Sequence, residues 1–252
     1  MKRLSALLLL ASLSSGCYLS TNSIVVDGVK LEEKHEEVLE VEQWSSLGLT
    51  VGSAQGDIRI EPAGSDGANV IEVVIHERVL GDGYAVLEGE KLVSKSKSGD
   101  PTAIGKVIVR TNLLPRVHAS TGMGDVTIVD VSVTDSVQLD TGMGDIDVSN
   151  AGSPKRLHTH TGMGDIEVAR TSCGDLVAES GMGDVEVLRV LAEKGVCSSG
   201  MGDVELDHCS FGQIDASTGM GDVDCIETTY DKGDFDSGLG KVTKKTTTED
   251  LD

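Results

Sequence analysis

Aromatic and basic side chains are both scarce in this sequence of 252 residues. Phenylalanine, tyrosine and tryptophan together make up 2% of the residues, too few for the core of an ordinary globular domain of this length. Lysine and arginine number 21 against 42 aspartates and glutamates, which gives a formal net charge of −21. This charge argues against nucleic acid as a partner and favours cations, basic partners or plain solubility.

Sequence signatures of catalysis are also missing. The sequence has no G-x-S-x-G nucleophile motif, no H-E-x-x-H zinc motif and no phosphate-binding P-loop, so no catalytic residue is predicted. Its cysteines include no C-x-x-C pair, so a structural zinc site is not expected. Cys173, Cys197, Cys209 and Cys225 are expected to point inward as free thiols, with a disulfide as the alternative in an oxidising compartment.

What the sequence does have is one tetrapeptide, Gly-Met-Gly-Asp, repeated six times. The spacings between successive copies are 20, 20, 19, 19 and 19 residues, and the first glycines are Gly122, Gly142, Gly162, Gly181, Gly200 and Gly219. A degraded seventh copy, Gly238-Leu239-Gly240-Lys241, follows 19 residues later. A period near 20 residues is typical of a solenoid in which each repeat forms one coil.

The alternation of side chains within a repeat predicts the shape of the coil. Counted from the first glycine, positions 5 and 7 are apolar and position 6 is polar, as in a strand with one buried face. Continuing the same count places the methionine at position 2 inward. The alternation breaks at Gly-Asp, near positions 8–9 and near positions 13–14. Three breaks predict three corners, and therefore an all-β, three-sided parallel β-helix whose coils stack about 4.8 Å apart behind an N-terminal β cap.

The repeats also predict a column of carboxylates at position 4, formed by Asp125, Asp145, Asp165, Asp184, Asp203 and Asp222. Carboxylates about 5 Å apart repel each other by roughly 1 kcal/mol per contact in water, so something must offset the repulsion. Backbone N–H groups at the corners are one candidate, because aspartate commonly accepts such bonds in turns. Calcium ions that bridge the coils through carboxylate oxygens are the other, and no further cofactor is predicted.

A second metal hypothesis concerns His160. The repeat places it on an outward face between Asp140 and Glu179, with His158 two residues earlier on the same face. The alternative is an ordinary interaction of a protonated histidine with two carboxylates.

The N-terminus has the pattern of an export signal. Residues 1–16 contain Lys2 and Arg3, then an apolar run, then small residues, which together predict a secretion signal. Ser14-Ser15-Gly16-Cys17 resembles a bacterial lipobox, which implies cleavage before Cys17 and lipid attachment to it. Tyr18 after the cysteine is similar to lipoproteins that are sent to the outer membrane.

The remaining chain divides by pattern. Residues 17–23 are a lipid-anchored tether, 24–115 an N-terminal β segment and cap, 116–243 the solenoid and 244–252 a polar tail. Within the cap, an early coil is expected around Ala54-Gln55-Gly56-Asp57, and Gly81-Asp82-Gly83 is expected to close a hairpin between strands 69–79 and 84–95. Lys241 and Lys244 are expected to end the stacking.

The units of the form T-G-M-G-D-[VI]-x-[VI] resemble the bacterial "putative adhesin" β-strand-repeat domains of unknown function, from about Val38 onwards. The resemblance implies a β-solenoid in the bacterial cell envelope. We expect a non-enzymatic scaffold or adhesin-like surface that is held to the outer membrane by its N-terminal lipid. Its expected partner is an envelope protein or a polysaccharide. The alternative is a cation-stabilised, carbohydrate-active β-helix enzyme.

Overall fold

The computed structural model describes residues 24–44, 48–53 and 55–245. The predicted signal peptide, the tether with Cys17 and all but two residues of the predicted polar tail lie outside these ranges. Within them the chain forms 23 β-strands and contains no helix that could cross a membrane.

The first strands of the described chain are β1 (Ile24–Val26), β2 (Val29–Leu31), β3 (Glu33–Val41), β4 (Leu49–Ser53), β5 (Ile58–Glu61), β6 (Asn69–Glu77), β7 (Gly83–Glu88), β8 (Lys91–Ser96) and β9 (Ala103–Arg110). The coils then follow as β10 (Leu113–Met123), β11 (Val126–Val129), β12 (Ser132–Met143), β13 (Ile146–Ser149), β14 (Arg156–Met163), β15 (Ile166–Ala169), β16 (Ser172–Ser180) and β17 (Val185–Leu188). The last strands are β18 (Leu191–Met201), β19 (Val204–Asp207), β20 (Ser210–Met220), β21 (Val223–Ile226), β22 (Thr229–Leu239) and β23 (Val242–Lys245).

Each coil contributes one long and one short strand, and equivalent strands stack in parallel. The long strands, together with β8 and β7, form a ten-stranded sheet in the order β22-β20-β18-β16-β14-β12-β10-β4-β8-β7. The short strands, together with β9, β6 and β3, form an eleven-stranded sheet in the order β23-β21-β19-β17-β15-β13-β11-β5-β9-β6-β3, in which β6 pairs antiparallel with both β9 and β3. Equivalent residues of successive repeats pair directly, as Val148 does with Val168. The predicted β-solenoid is therefore confirmed.

The corners fall where the alternation of side chains breaks. Position 9 adopts a left-handed backbone in every full repeat, with φ between 45° and 53° at Asp130, Asn150, Arg170, Arg189, His208 and Glu227. Inside the long strand, the register skips position 13, and the buried side changes from Ala192 at position 12 to Gly195 at position 15. The long strand thus supplies two sides of the coil and the short strand supplies the third.

The interior is narrow and filled mainly by small and branched aliphatic side chains. Cys197, Cys209 and Cys225 are buried, Cys173 is half-buried, and all four are free thiols. Burial raises the pKa of Cys173 to about 12 and, despite hydrogen bonds that act in the opposite direction, the pKa of Cys209 to about 11. These thiols are therefore protonated at neutral pH, and they pack as small hydrophobic groups.

The first coil of the solenoid begins well before residue 116. Strands β4 and β5 stack on β10 and β11, with Leu49 paired to Val117 and Ile58 to Val126. Asp57 lies in the same column as Asp125, 68 residues later. The chain between these two coils forms β6 to β9, an N-terminal insertion. In this insertion β7 and β8 extend the ten-stranded sheet, and β6 and β9 extend the eleven-stranded sheet.

The hairpin predicted around Gly81 is wrong. Strand β6 already has partners on both edges, β3 and β9, so the strand after the glycine turn must pair elsewhere. It pairs with β8, and the hairpin turn lies between Glu88 and Lys91. The glycine turn instead surrounds the buried carboxylate of Glu77, which accepts the backbone N–H groups of Gly81 at 2.6 Å and Gly83 at 2.5 Å.

The C-terminal coil carries a small aromatic cluster. The rings of Tyr230 and Phe235 lie 5.2 Å apart. Lys244 is in register with the buried Cys225, and its ammonium lies 4.1 Å from the centre of the Phe235 ring. The cluster therefore covers the end of the core with an exposed cation over aromatic faces.

Candidate functional site

The Gly-Met-Gly-Asp corners form one continuous edge of the solenoid, and its backbone requires glycine at position 3. Gly164 has a φ of 143°, and a Cβ added to it would lie 2.1 Å from the carbonyl oxygen of Gly144 in the preceding coil. The other position-3 glycines of the six repeats have φ between 136° and 145°. Only a residue without a side chain permits both this conformation and this close approach.

The six predicted aspartates lie in one column along this edge. The Oδ1 atom of each accepts the backbone N–H of the residue one coil further on, as Asp145 Oδ1 does from Asp165 at 2.9 Å. The column starts at Asp57 and ends where Asp222 Oδ1 accepts the N–H of Lys241 at 2.8 Å. Hydrogen bonds to a carboxylate are stronger than neutral ones, so the column helps to hold the coils together despite its charge.

A column of buried hydroxyl groups supports the same corner from inside. The residue just before each repeat is threonine or serine, and its hydroxyl donates to the carbonyl oxygen of the position-3 glycine in the preceding coil. The distance is 2.9 Å from Thr161 to Gly144 and 2.7 Å from Ser199 to Gly183. The recurrence of threonine or serine was visible in the sequence, but its carbonyl partner depends on the stacking.

The methionines at position 2 do not point inward, and that prediction is wrong. Met123, Met143, Met163, Met182, Met201 and Met220 are between 39% and 45% exposed, and we call them the methionine column. The count of two fails just before the corner, because the threonine two residues before Met163 is buried whereas Met163 is exposed, and the corner itself follows at Gly164 with a φ of 143°. The edge therefore presents thioether side chains to solvent beside a row of carboxylates.

A second acidic column follows at position 6, with members Asp147, Glu167, Glu186, Glu205 and Asp224 in register on the short-strand sheet. Partial burial, followed by repulsion from Glu167 and Glu205, raises the pKa of Glu186. The column is thus a strip of mutually repelling carboxylates on the outer face, and protonation at acidic pH relieves that repulsion.

The register around His160 is the predicted one, because Asp140 and Glu179 are its neighbours in the adjacent coils. The contact with Asp140 is made by a different histidine, with His118 Nε2 3.6 Å from Asp140 Oδ2. Among the residues that the structure describes, no three histidine, cysteine, aspartate or glutamate side chains are grouped to hold a metal ion. Metal binding at His160 and calcium bridging of the aspartates stay predictions.

The stacked coils and their shared corner define a parallel β-solenoid with a glycine-aspartate edge. Residues 153–243 match the model of a protein family described as Toastrack DUF4097. No curated protein matches the sequence significantly.

Several solved structures have a similar fold. A "putative adhesin" from Bacteroides fragilis NCTC 9343 is 16% identical, with 84% of this chain and 96% of that chain covered at a TM-score of 0.58. A "putative adhesin" from Parabacteroides distasonis ATCC 8503 is 11% identical, with 84% and 97% covered at a TM-score of 0.54. A "putative lipid binding protein" from the same strain is 14% identical, with 86% and 96% covered at 0.52. The resemblance predicted from the repeats is confirmed, and at these identities it shows the fold alone.

Proposed function

We propose that this chain is a lipid-anchored protein of the bacterial cell envelope whose solenoid serves as a non-enzymatic, adhesin-like binding surface or scaffold. The observation that carries the proposal is the regularity of the outer faces, where the same kinds of side chain recur in register from coil to coil. A repeated face suits an extended partner, such as a polysaccharide or an envelope protein. The net charge of −21 disfavours nucleic acid.

The same regularity speaks against a carbohydrate-cleaving enzyme. Glycoside hydrolysis needs two carboxyl groups whose environments push their pKa values apart, whereas the aspartates at position 4 repeat with the same backbone hydrogen bond from coil to coil. In the part of the chain that the structure describes, three of the aromatic side chains are unavailable as a platform for a sugar. Phe211 is buried in the core, and Tyr230 and Phe235 pack together at the C-terminal end.

Anchoring is tested by following Cys17. Metabolic labelling with a fatty acid should mark the wild type, and the Cys17→Ala variant should lose the label and leave the outer-membrane fraction. A matched Cys173→Ala variant should keep both the label and the location, because Cys173 lies within the solenoid. An unlabelled wild type that fractionates like Cys17→Ala would remove the lipid anchor from the proposal.

The binding surface is tested by site-specific photocrosslinking of the full chain in cells. A photoreactive residue replaces Glu186 on the short-strand face or Val196 on the long-strand face, both of which reach solvent. A control replaces Val25, which is exposed and lies outside the coils. A binding face should give defined protein or polysaccharide adducts at one solenoid position and not at the control. Adducts absent from both faces, or identical at all three positions, would contradict the proposal.

A further inference from the structure

The methionine column is the largest feature of the edge that the stacking does not require. Six apolar side chains, each between 39% and 45% exposed, lie one above another at the surface, although burial in the core is the usual reason for an apolar residue to recur at one position of a repeat. In the degraded seventh copy the position is held by Leu239, which is 74% exposed. The coil therefore accepts another apolar residue at this position.

The backbone brings the six methionines into direct register. Met143 pairs with Met123 on one side and Met163 on the other. The ladder continues because the N–H of Gly164 donates to the carbonyl of Met182 at 2.9 Å, and the N–H of Gly183 donates to that of Met201 at 2.8 Å. The backbones of successive methionines are therefore about 4.8 Å apart from one coil to the next, the usual spacing between neighbouring strands.

Nothing along the chain separates these side chains from one another. Each methionine has a glycine on either side in the sequence, so its nearest side-chain neighbours on the edge are the methionines of the adjacent coils. The methionine side chain is unbranched and turns about three bonds, so two or three neighbouring sulfurs can converge on one point. The edge is therefore a preformed row of flexible thioether ligands.

The chemistry of the row selects one class of ligand. Thioether sulfur is a soft donor that binds copper(I) and similar ions, whereas calcium and magnesium prefer oxygen. The aspartate column lies two residues further along in every coil, so the local field attracts cations. The four thiols within the described residues, which would compete, are buried or half-buried, and burial raises the pKa of Cys173 and Cys209.

We propose that the methionine column binds a soft monovalent cation, copper(I) or silver(I), through the sulfurs of methionines in adjacent coils. Docking of a second copy on the same edge is disfavoured, because each aspartate column would then face another. This proposal does not depend on the envelope function proposed above, since it rests only on the geometry of the edge.

Silver(I) is the probe, because it is not reduced or oxidised during the experiment. The protein is labelled with methionine carrying a ¹³C methyl group and is titrated with silver nitrate in chloride-free buffer. The signals of the six column methionines should shift and saturate at about two silver ions per chain, if each ion takes three sulfurs. Calcium at the same concentration should leave those signals in place.

The matched variant replaces all six methionines of the column with leucine, the residue that the chain itself carries at position 239. It should fold, as judged by an unchanged circular dichroism spectrum, and should bind silver at least tenfold more weakly. Column signals that stay in place at a tenfold excess of silver would overturn the proposal. Equal silver binding by the leucine variant would also overturn it, because the ion would then be held by the cysteines. So would methyl shifts that depend on protein concentration without silver, which would assign the edge to a second copy.

Discussion

Replacing Gly164 with alanine should separate two coils at the corner that organises the solenoid. The added Cβ would lie 2.1 Å from the carbonyl oxygen of Gly144 and 2.6 Å from its carbonyl carbon. Both atoms belong to backbone that is fixed by stacking on either side, so neither can move away cheaply. Gly164 also has a φ of 143°, which residues with a side chain rarely adopt.

The magnitude follows from three contributions. A residue held in a region of φ and ψ that is almost restricted to glycine costs about 1–3 kcal/mol. Forcing an extra carbon into a packed site costs about 1–3 kcal/mol more. If the corner shifts, the hydrogen bond from the N–H of Gly164 to the carbonyl of Met182 weakens, a loss of about 1 kcal/mol. The free energy of unfolding should therefore fall by about 3–7 kcal/mol, a large part of the 5–15 kcal/mol typical of a domain.

Urea denaturation followed by circular dichroism measures this change. The control is Gly52→Ala, because Gly52 is exposed and a Cβ there would lie 3.4 Å from Ser120 Oγ, an ordinary contact. The control should change the free energy of unfolding by less than about 1 kcal/mol, the usual size of a surface substitution. A Gly164→Ala variant as stable as the control would refute the requirement for glycine at position 3.

Two further predictions concern carboxylates. Asp165→Asn keeps an oxygen that can accept the N–H of Asp184, a hydrogen bond of 2.8 Å in the wild type. The change also removes two repulsions between carboxylates of about 1 kcal/mol each, so thermal denaturation should show that the variant is as stable as the wild type or slightly more stable. Destabilisation seen only with calcium would instead make the column a metal site, worth about 2.7 kcal/mol at a hundredfold excess over Kd. Burial alone would raise the pKa of Glu77, but hydrogen bonds, chiefly from Gly83 and Gly81, outweigh it and lower that pKa. The stability that Glu77 adds is therefore complete above its unfolded pKa of about 4.3 and is lost as the pH falls through the lower folded value. The difference in free energy of unfolding between wild type and Glu77→Gln, measured by urea denaturation, should therefore shrink as the pH falls below about 4.3, and a difference that stays constant from pH 7 to pH 3 would contradict this.

The solenoid was predictable because the information needed for it is local and repeated. Alternating residues such as Val126 and Ile128 specify a strand with one buried face, and the break in alternation specifies a corner. Once one coil is specified, a period of 19–20 residues stacks the next coil on it. The aspartate column follows from the same step, since residues at equal positions of stacked coils become neighbours.

The orientation of the methionines was not predictable by counting alone. Thr161 is buried and Met163, two residues later, is exposed, although both belong to β14. The ladder between β12 and β14 skips Gly142 and Gly162, so the alternation of sides is broken one residue before each methionine.

The strand pairing of the N-terminal insertion could not be predicted from the sequence for a different reason. The pairing of Ile58 with Val126 joins residues 68 positions apart, and no periodicity connects them. The pattern of Leu49 to Ile60 identified a coil but not the coil on which it stacks. β7 pairs with β8 and not with β6, because β3 and β9 already occupy both edges of β6. This occupancy is a property of the assembled sheet and cannot be seen in the local sequence.

The backbone accounts for most of the Gly-Met-Gly-Asp unit but not for all of it. Gly164 is required by the approach of Gly144, Asp165 Oδ1 accepts the N–H of the next coil, and Thr161 satisfies a buried carbonyl. Each of these residues repeats because a change would weaken a contact between coils. Methionine makes no such backbone contact through its side chain, and Leu239 occupies the same position in the last coil. Methionine thus recurs six times at a partly exposed position that also accepts leucine, and a ligand for the thioether sulfurs, as proposed above, would account for the recurrence.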